Sequence, residues 1–139
     1  MFKRLATTVA LGCTLALSVP VWVSGEGIKD YDDLTELQKE TFQVKAAVES
    51  DPGYALEMLT LWSKDFSADF EDYSPRDHYV FQQCAGLGLF NYYDKKVEVY
   101  TFMYLSDDEI TASLANESFS IGAECHYEVV RERKKRRDA

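Results

Sequence analysis

Residues 97–105 read VEVYTFMYL, and the fold class turns on them. β-Branched and aromatic side chains dominate the run, which is the composition of a strand. A buried helix fits it equally, because periodicity cannot separate short apolar runs. The other segment with strand character is CHYEVV at 125–130, so a strand here lacks a strong partner. The expectation is therefore a helix, with α+β and a strand at 97–105 as the alternative.

Outward from this run the signals are helical. Downstream, Ser106 and Glu109 form a capping box over Asp107 and Asp108. That opens a helix near Ile110 and Leu114, and a last helix is expected from about Ile121 into the C-terminal end. Upstream, Ser74, Pro75 and Asp77 supply an N-cap, a first helical position and an early acid. The helix they open runs through HYVFQQCAGLGLFNYY. Its part from 84 to 90 is apolar on every face and is expected to be the most buried segment.

SADFEDYSPRD, just before it, is acidic and turn-like. Further back, Asp51 and Pro52 start a helix whose apolar stripe is Ala55, Leu59, Trp62 and Phe66. The first helix is expected to be capped by Asp33, with Glu36 three residues on. Leu34, Leu37, Thr41, Val44 and Val48 carry it to about Ser50 at helical spacing. A join as short as DPG predicts an antiparallel αα-hairpin. The whole reads as mainly α, a small domain of about five helices with one interhelical disulfide.

The chain opens MFKRLATTVALGCTLALSVPVWVSGEG. Lys3 and Arg4 precede an uncharged apolar stretch at 5–19, Pro20 interrupts it, and Val23-Ser24-Gly25 offers short side chains to a signal peptidase. Residues 1–25 therefore read as a signal peptide, and the location as periplasmic or extracellular. One alternative is an uncleaved membrane anchor at 5–23, just long enough but weakened by Thr, Ser and Gly. The other is lipid attachment at Cys13, against which stands the hydrophobic sequence that continues beyond it.

Two cysteines follow the leader, Cys84 and Cys125, and an even pair in an exported chain reads as one disulfide. Bridged Cα atoms sit about 5.5 Å apart, whereas packed helix axes lie roughly 8–10 Å apart. Small neighbours are needed, and Ala85 and Gly88 flank one cysteine, Gly122 and Ala123 the other. A zinc site built from His78, Cys84, Cys125 and His126 fails on spacing. Residues six apart on a helix diverge by about 240° and adjacent ones by about 100°. No metal or cofactor is expected.

Residues 26–130 hold seven basic side chains against twenty-two acids, a net of −15, and residues 131–139 hold six against two, a net of +4. The mature chain is thus an acidic domain at 26–130 with a basic tail at 131–139. The acidic body repels nucleic acid and anionic membranes and attracts cationic partners, while also serving solubility. Its nine tyrosines set it apart from disordered acidic chains.

The tail, RERKKRRDA, would suggest nucleic-acid binding inside a cell, but export removes that target. Arg131, Arg133, Lys134, Lys135, Arg136 and Arg137 are the candidate partner-binding residues. Three uses fit them. They are a frayed helix end whose cations complement the dipole, a dock for anionic lipid, lipopolysaccharide or an acidic protein, or a segment that folds back on the acidic body.

No motif names a reaction. His-Glu-x-x-His, Gly-x-Ser-x-Gly, a phosphate loop and a calcium loop are all missing, and the two glycines of AGLGL lie inside an apolar run where packing explains them. His78 and His126 read as surface or packing residues, and the acid pairs Asp32-Asp33 and Asp107-Asp108 as helix-start residues. Asn116-Glu117-Ser118 is a glycosylation sequon, meaningful in a eukaryotic host. The expected function is binding rather than catalysis: an adaptor or inhibitor of immunity type that captures a cationic protein through an acidic, Tyr-rich surface. The alternative is a membrane-associated accessory subunit, held by an uncleaved N-terminal helix or by the tail.

Overall fold

Asp51 ends one helix and starts the next, and this sharing sets the first corner of the fold. Its backbone N–H donates to the Ala47 carbonyl while its carboxylate accepts from the Tyr54 N–H. A computed structural model of the chain describes residues 30–68 and 70–138. The expected leader at 1–25 and the lipid site at Cys13 lie outside the described residues. The helices are α1 (Glu36–Ser50), α2 (Pro52–Trp62), the single turn α3 (Lys64–Ser67), α4 (Pro75–Asn91), the single turn α5 (Val99–Phe102) and α6 (Asp107–Asp138). Among the described residues there is no strand, so the chain is all-α.

α1 begins two residues later than its sequence suggests. A 3₁₀ turn, Tyr31–Asp33, takes up the expected cap, and Leu34 adopts extended backbone to bury its side chain. Helix cannot start until that side chain is placed. Thr35 is therefore the cap, in a reciprocal box with Gln38, which serves at that position as well as a glutamate. The stripe of Thr41, Val44 and Val48 is buried as expected. The most buried run is in fact 41–48 of α1, since Leu87, in the run 84–90, is 51% exposed.

α2 buries Ala55 and Leu59, but its stripe does not continue straight to Phe66. Ser63 turns its hydroxyl back to the Leu59 carbonyl at 2.8 Å, and the helix gives way to α3 there. α4 starts as expected at Ser74 with a capping box to Asp77. It closes in a π turn, Tyr92–Lys96, that buries both Tyr92 and Tyr93. The decisive run 97–105 is helical for one turn only: Val97 and Glu98 are extended, and a turn follows Phe102. The two helices expected after Ser106 are one. Its capping box is present, and residues 115–120 contain neither proline nor glycine to stop it.

α4 and α6 run antiparallel, joined by Cys84–Cys125 with Cα atoms 5.5 Å apart and a sequence separation of 41. The pair places the domain in an oxidising compartment. Glycines allow the close approaches, though not all those expected. A Cβ on Gly88 would stand 3.0 Å from the Ile121 side chain, and one on Gly86 would stand 2.7 Å from Cα of Thr60 on α2. At Gly122 a Cβ would meet nothing, and Ala123 is exposed, so neither serves the bridge. No helix among the described residues is long and apolar enough to cross a membrane.

Two stability changes follow, both read by chemical denaturation. Replacing both bridge cysteines with serine lowers stability by roughly 4 kcal/mol, the loop-closure value for this separation. Gly86→Ala costs about 1–3 kcal/mol because backbone must move. Gly88→Ala costs less, since the Ile121 side chain and no backbone atom opposes it.

Candidate functional site

Three clusters of polar and aromatic side chains stand out. The first joins two helix starts 72 residues apart. The Thr35 hydroxyl donates to Asp107 Oδ1 at 2.6 Å. Buried Gln38 donates its amide to the carbonyls of Met103 and Leu105 at 3.0 and 2.9 Å. These bonds hold the segment after α5 against the start of α1. Asp32, Asp33 and Glu36 thereby share one end of the molecule with Asp107, Asp108 and Glu109, as the acid pairs were expected to sit at helix starts. Tyr100 and Tyr104, both exposed, lie on the same segment. Lys39 pairs with Glu36 at 3.7 Å and stands over the Tyr31 ring, one cation beside six acids, so the end is strongly negative.

The second cluster receives the tail. The Arg133 guanidinium donates twice to Asp77 Oδ2, at 3.0 and 2.8 Å, and once to the Asp72 carbonyl at 3.0 Å. Arg136 donates to Asp77 Oδ1 at 2.9 Å. The Asp77 side chain is only 4% exposed. It also accepts from the Ser74 N–H at 2.9 Å, so a helix cap and an ion-pair acceptor are the same residue. The Arg133 hydrogen bonds hold its carboxyl well below the usual carboxylate range, against the opposing effect of burial.

The tail is therefore not a frayed end but the last two turns of α6, which passes residue 130 unbroken. Its six cations divide by direction. Arg133 and Arg136 turn inward to Asp77; Arg131 pairs with Glu128 and Lys135 with Glu132 along the helix. Lys134 and Arg137 are exposed and make no ion pair among the described residues.

The third cluster lies beside the second. Tyr73 meets His126 Nδ1 through its hydroxyl at 2.6 Å and stands edge-on to His78. Phe70 and Tyr73 stack on each other and on His126. His78 Nδ1 contacts the buried Ser67 hydroxyl at 3.0 Å. Both histidines are thus engaged in packing, and SADFEDYSPRD, which turns at Glu71 and Asp72 as expected, also contributes Tyr73 to the core. Among the described residues no group of three or more His, Cys, Asp or Glu is arranged to hold a metal.

A cavity of about 270 Å³ separates α1 from α6, walled by Leu37, Trp62, Tyr92, Tyr93 and Leu114, with Glu40 at its edge. Burial pushes the Tyr93 phenol well above its ordinary value, and the Tyr92 hydroxyl is held by Ser113 at 2.9 Å. The sequon residue Asn116 is exposed in mid-helix.

Sequence reasoning missed Asp77 as the receptor of the tail, although a signal for it existed. On antiparallel helices bridged at Cys84 and Cys125, positions equally far from the bridge meet. Asp77 lies seven residues before one cysteine and Arg133 eight after the other. Comparison with protein-family models, with curated proteins and with solved structures finds no match.

The clamp predicts an acid-sensitive contribution to stability. Asp77 has a lower pKa folded than unfolded, so its contribution is complete above the unfolded value, about 4. It is lost as pH falls through that value and below. Asp77→Asn, which keeps the cap geometry, costs roughly 1–2 kcal/mol at pH 7. That cost shrinks as pH falls below about 4 and is gone only where the folded carboxyl itself becomes protonated, well below that value. Thermal melts of both proteins from pH 7 to pH 2 make the comparison.

Proposed function

We propose that this is an exported binding protein that captures a cationic protein through its acidic end, as an adaptor or an inhibitor. One observation carries the reading: the Thr35–Asp107 bond and buried Gln38 fix two acidic helix starts on one surface. A surface held by hydrogen bonds meets its partner with little ordering cost. Exposed Tyr100 and Tyr104 add the amphipathic contact area that interfaces favour. The disulfide, which needs an oxidising compartment, and the leader-like residues 1–25 support export. Binding rather than catalysis accords with the engagement of both histidines and Ser67 in packing.

The membrane-associated alternative draws less support where the tail is its anchor; the other anchor, an uncleaved helix at 5–23, lies outside the described residues. Four of the six tail cations are paired with acids of the same chain, which leaves two for an anionic surface.

The experiment is capture from the exported fraction of the host on immobilised protein, with elution by salt. Basic proteins are expected to bind at about 0.05 M salt and to leave by roughly 0.5 M, as screening removes the attraction. A D32N/D33N/E36Q variant retains less than a tenth as much. Partners that are not basic, or that withstand 1 M salt as well as 0.05 M, would overturn the reading.

A further inference from the structure

α6 carries an apolar stripe on the side away from the core. Phe119, Ala123, Tyr127 and Val130 are exposed, with Phe119 82% and Tyr127 66% accessible, and the free cations Lys134 and Arg137 continue the line. At 100° per residue these six positions fall within an arc of about 80°. That arc lies opposite the face that buries Ile110, Ile121, Cys125 and Val129. An aromatic as exposed as Phe119, in register with three further apolar side chains, is not scattered surface hydrophobicity.

The stripe has a second property: it is complementary to itself when reversed. Phe119 and Tyr127 lie four residues on either side of Ala123. Asn116 and Val130 lie seven away, Ala112 and Lys134 eleven, and Glu109 and Arg137 fourteen. Four, seven, eleven and fourteen are the spacings of a coiled-coil seam. We infer that two copies of this chain associate through antiparallel α6 helices about a two-fold axis at Ala123.

In that arrangement Phe119 of each copy meets Tyr127 of the other, and the two alanines at the axis let the backbones approach. Arg137 faces Glu109 of the other copy, and Lys134 comes within a turn of Asp108. These are the two tail cations that make no ion pair among the described residues and two exposed acids of the opposite helix end. The antiparallel macrodipoles also favour the arrangement. A two-fold interface needs one patch that complements itself, and this patch does. An anionic bilayer is the less fitting occupant, because Asp108 and Glu109 close one end of the stripe and would be repelled by it. The dimer draws on Asp108 and Glu109 of the acidic end and leaves Asp32, Asp33 and Glu36 of the 3₁₀ turn and α1 open to a cationic protein.

Sedimentation equilibrium of the full chain between 1 and 200 μM tests it, with charge swaps to fix the register. The wild type is expected to be dimeric at the upper end, and Tyr127→Glu to weaken association at least tenfold while the thermal melt of the dilute protein stays the same. Lys134→Glu with Arg137→Glu should weaken it similarly. Adding Asp108→Lys and Glu109→Lys to that pair should restore it. Wild-type monomer at 200 μM would overturn the inference, whether or not the protein also sediments with vesicles containing phosphatidylglycerol. A dimer that Tyr127→Glu leaves intact, or that the second charge swap does not rescue, would overturn it equally.

Discussion

The antiparallel register of α4 against α6 is the constraint on which the rest depends, and Cys84–Cys125 pins it. With Cα atoms 5.5 Å apart the two cysteines must face each other directly across the pair, so the bridge fixes the level and the rotation of both helices. The other contacts of the pair lie to either side of that point. Gly88 lies under Ile121, the Tyr92 hydroxyl reaches Ser113, and Lys96 meets Glu117 toward one end. Toward the other end, Asp77 meets Arg133 and Arg136. A shift of one residue would break the covalent link and every one of these contacts together.

Two buried polar side chains finish what the bridge begins. Gln38 and Asp77 are nearly inaccessible, and each makes several hydrogen bonds to groups far away in sequence. A buried amide or carboxylate left unpaired would cost more than the bonds contribute when made, so each residue disfavours any packing that leaves it unsatisfied. Among the described residues no buried side-chain N or O atom lacks a partner. Gln38 ties the segment after α5 to α1, and Asp77 ties the end of the chain to the start of α4. The apolar core supplies most of the stabilisation, while these two groups specify which helix ends meet.

What could be read in advance was the local chemistry. Caps at Asp51, Ser74 and Ser106 announce themselves, because each needs a side-chain acceptor at a fixed offset from the N–H groups it serves. The cysteine pair was legible for the same reason: small neighbours are required on at least one side, and Gly88 supplies them. Tertiary demands were not legible. Leu34 fits the periodicity of α1, yet it is extended, because burying it outweighs one more helical residue. The run 97–105 was ambiguous for a physical reason: half of it is neither helix nor strand, and Gln38, not local propensity, holds its carbonyls. At the candidate site the acid pairs were visible singly, but their convergence depends on a bond across 72 residues.

The C-terminal run shows how a helix turns one kind of charge into several. In extended chain RERKKRRDA would be a uniform cationic segment, and an anionic surface would be its natural target. Wound at 3.6 residues per turn, the same six cations point three ways. Two are taken inward by a carboxylate that also caps another helix, and two are balanced by glutamates a turn away. The remaining two are placed on the line of exposed apolar side chains. Because Asp77 already holds Arg133 and Arg136, α6 cannot rotate about its axis without breaking those bonds. The orientation of Phe119, Tyr127 and Val130 toward solvent is therefore fixed by the same contact that folds the tail onto the body.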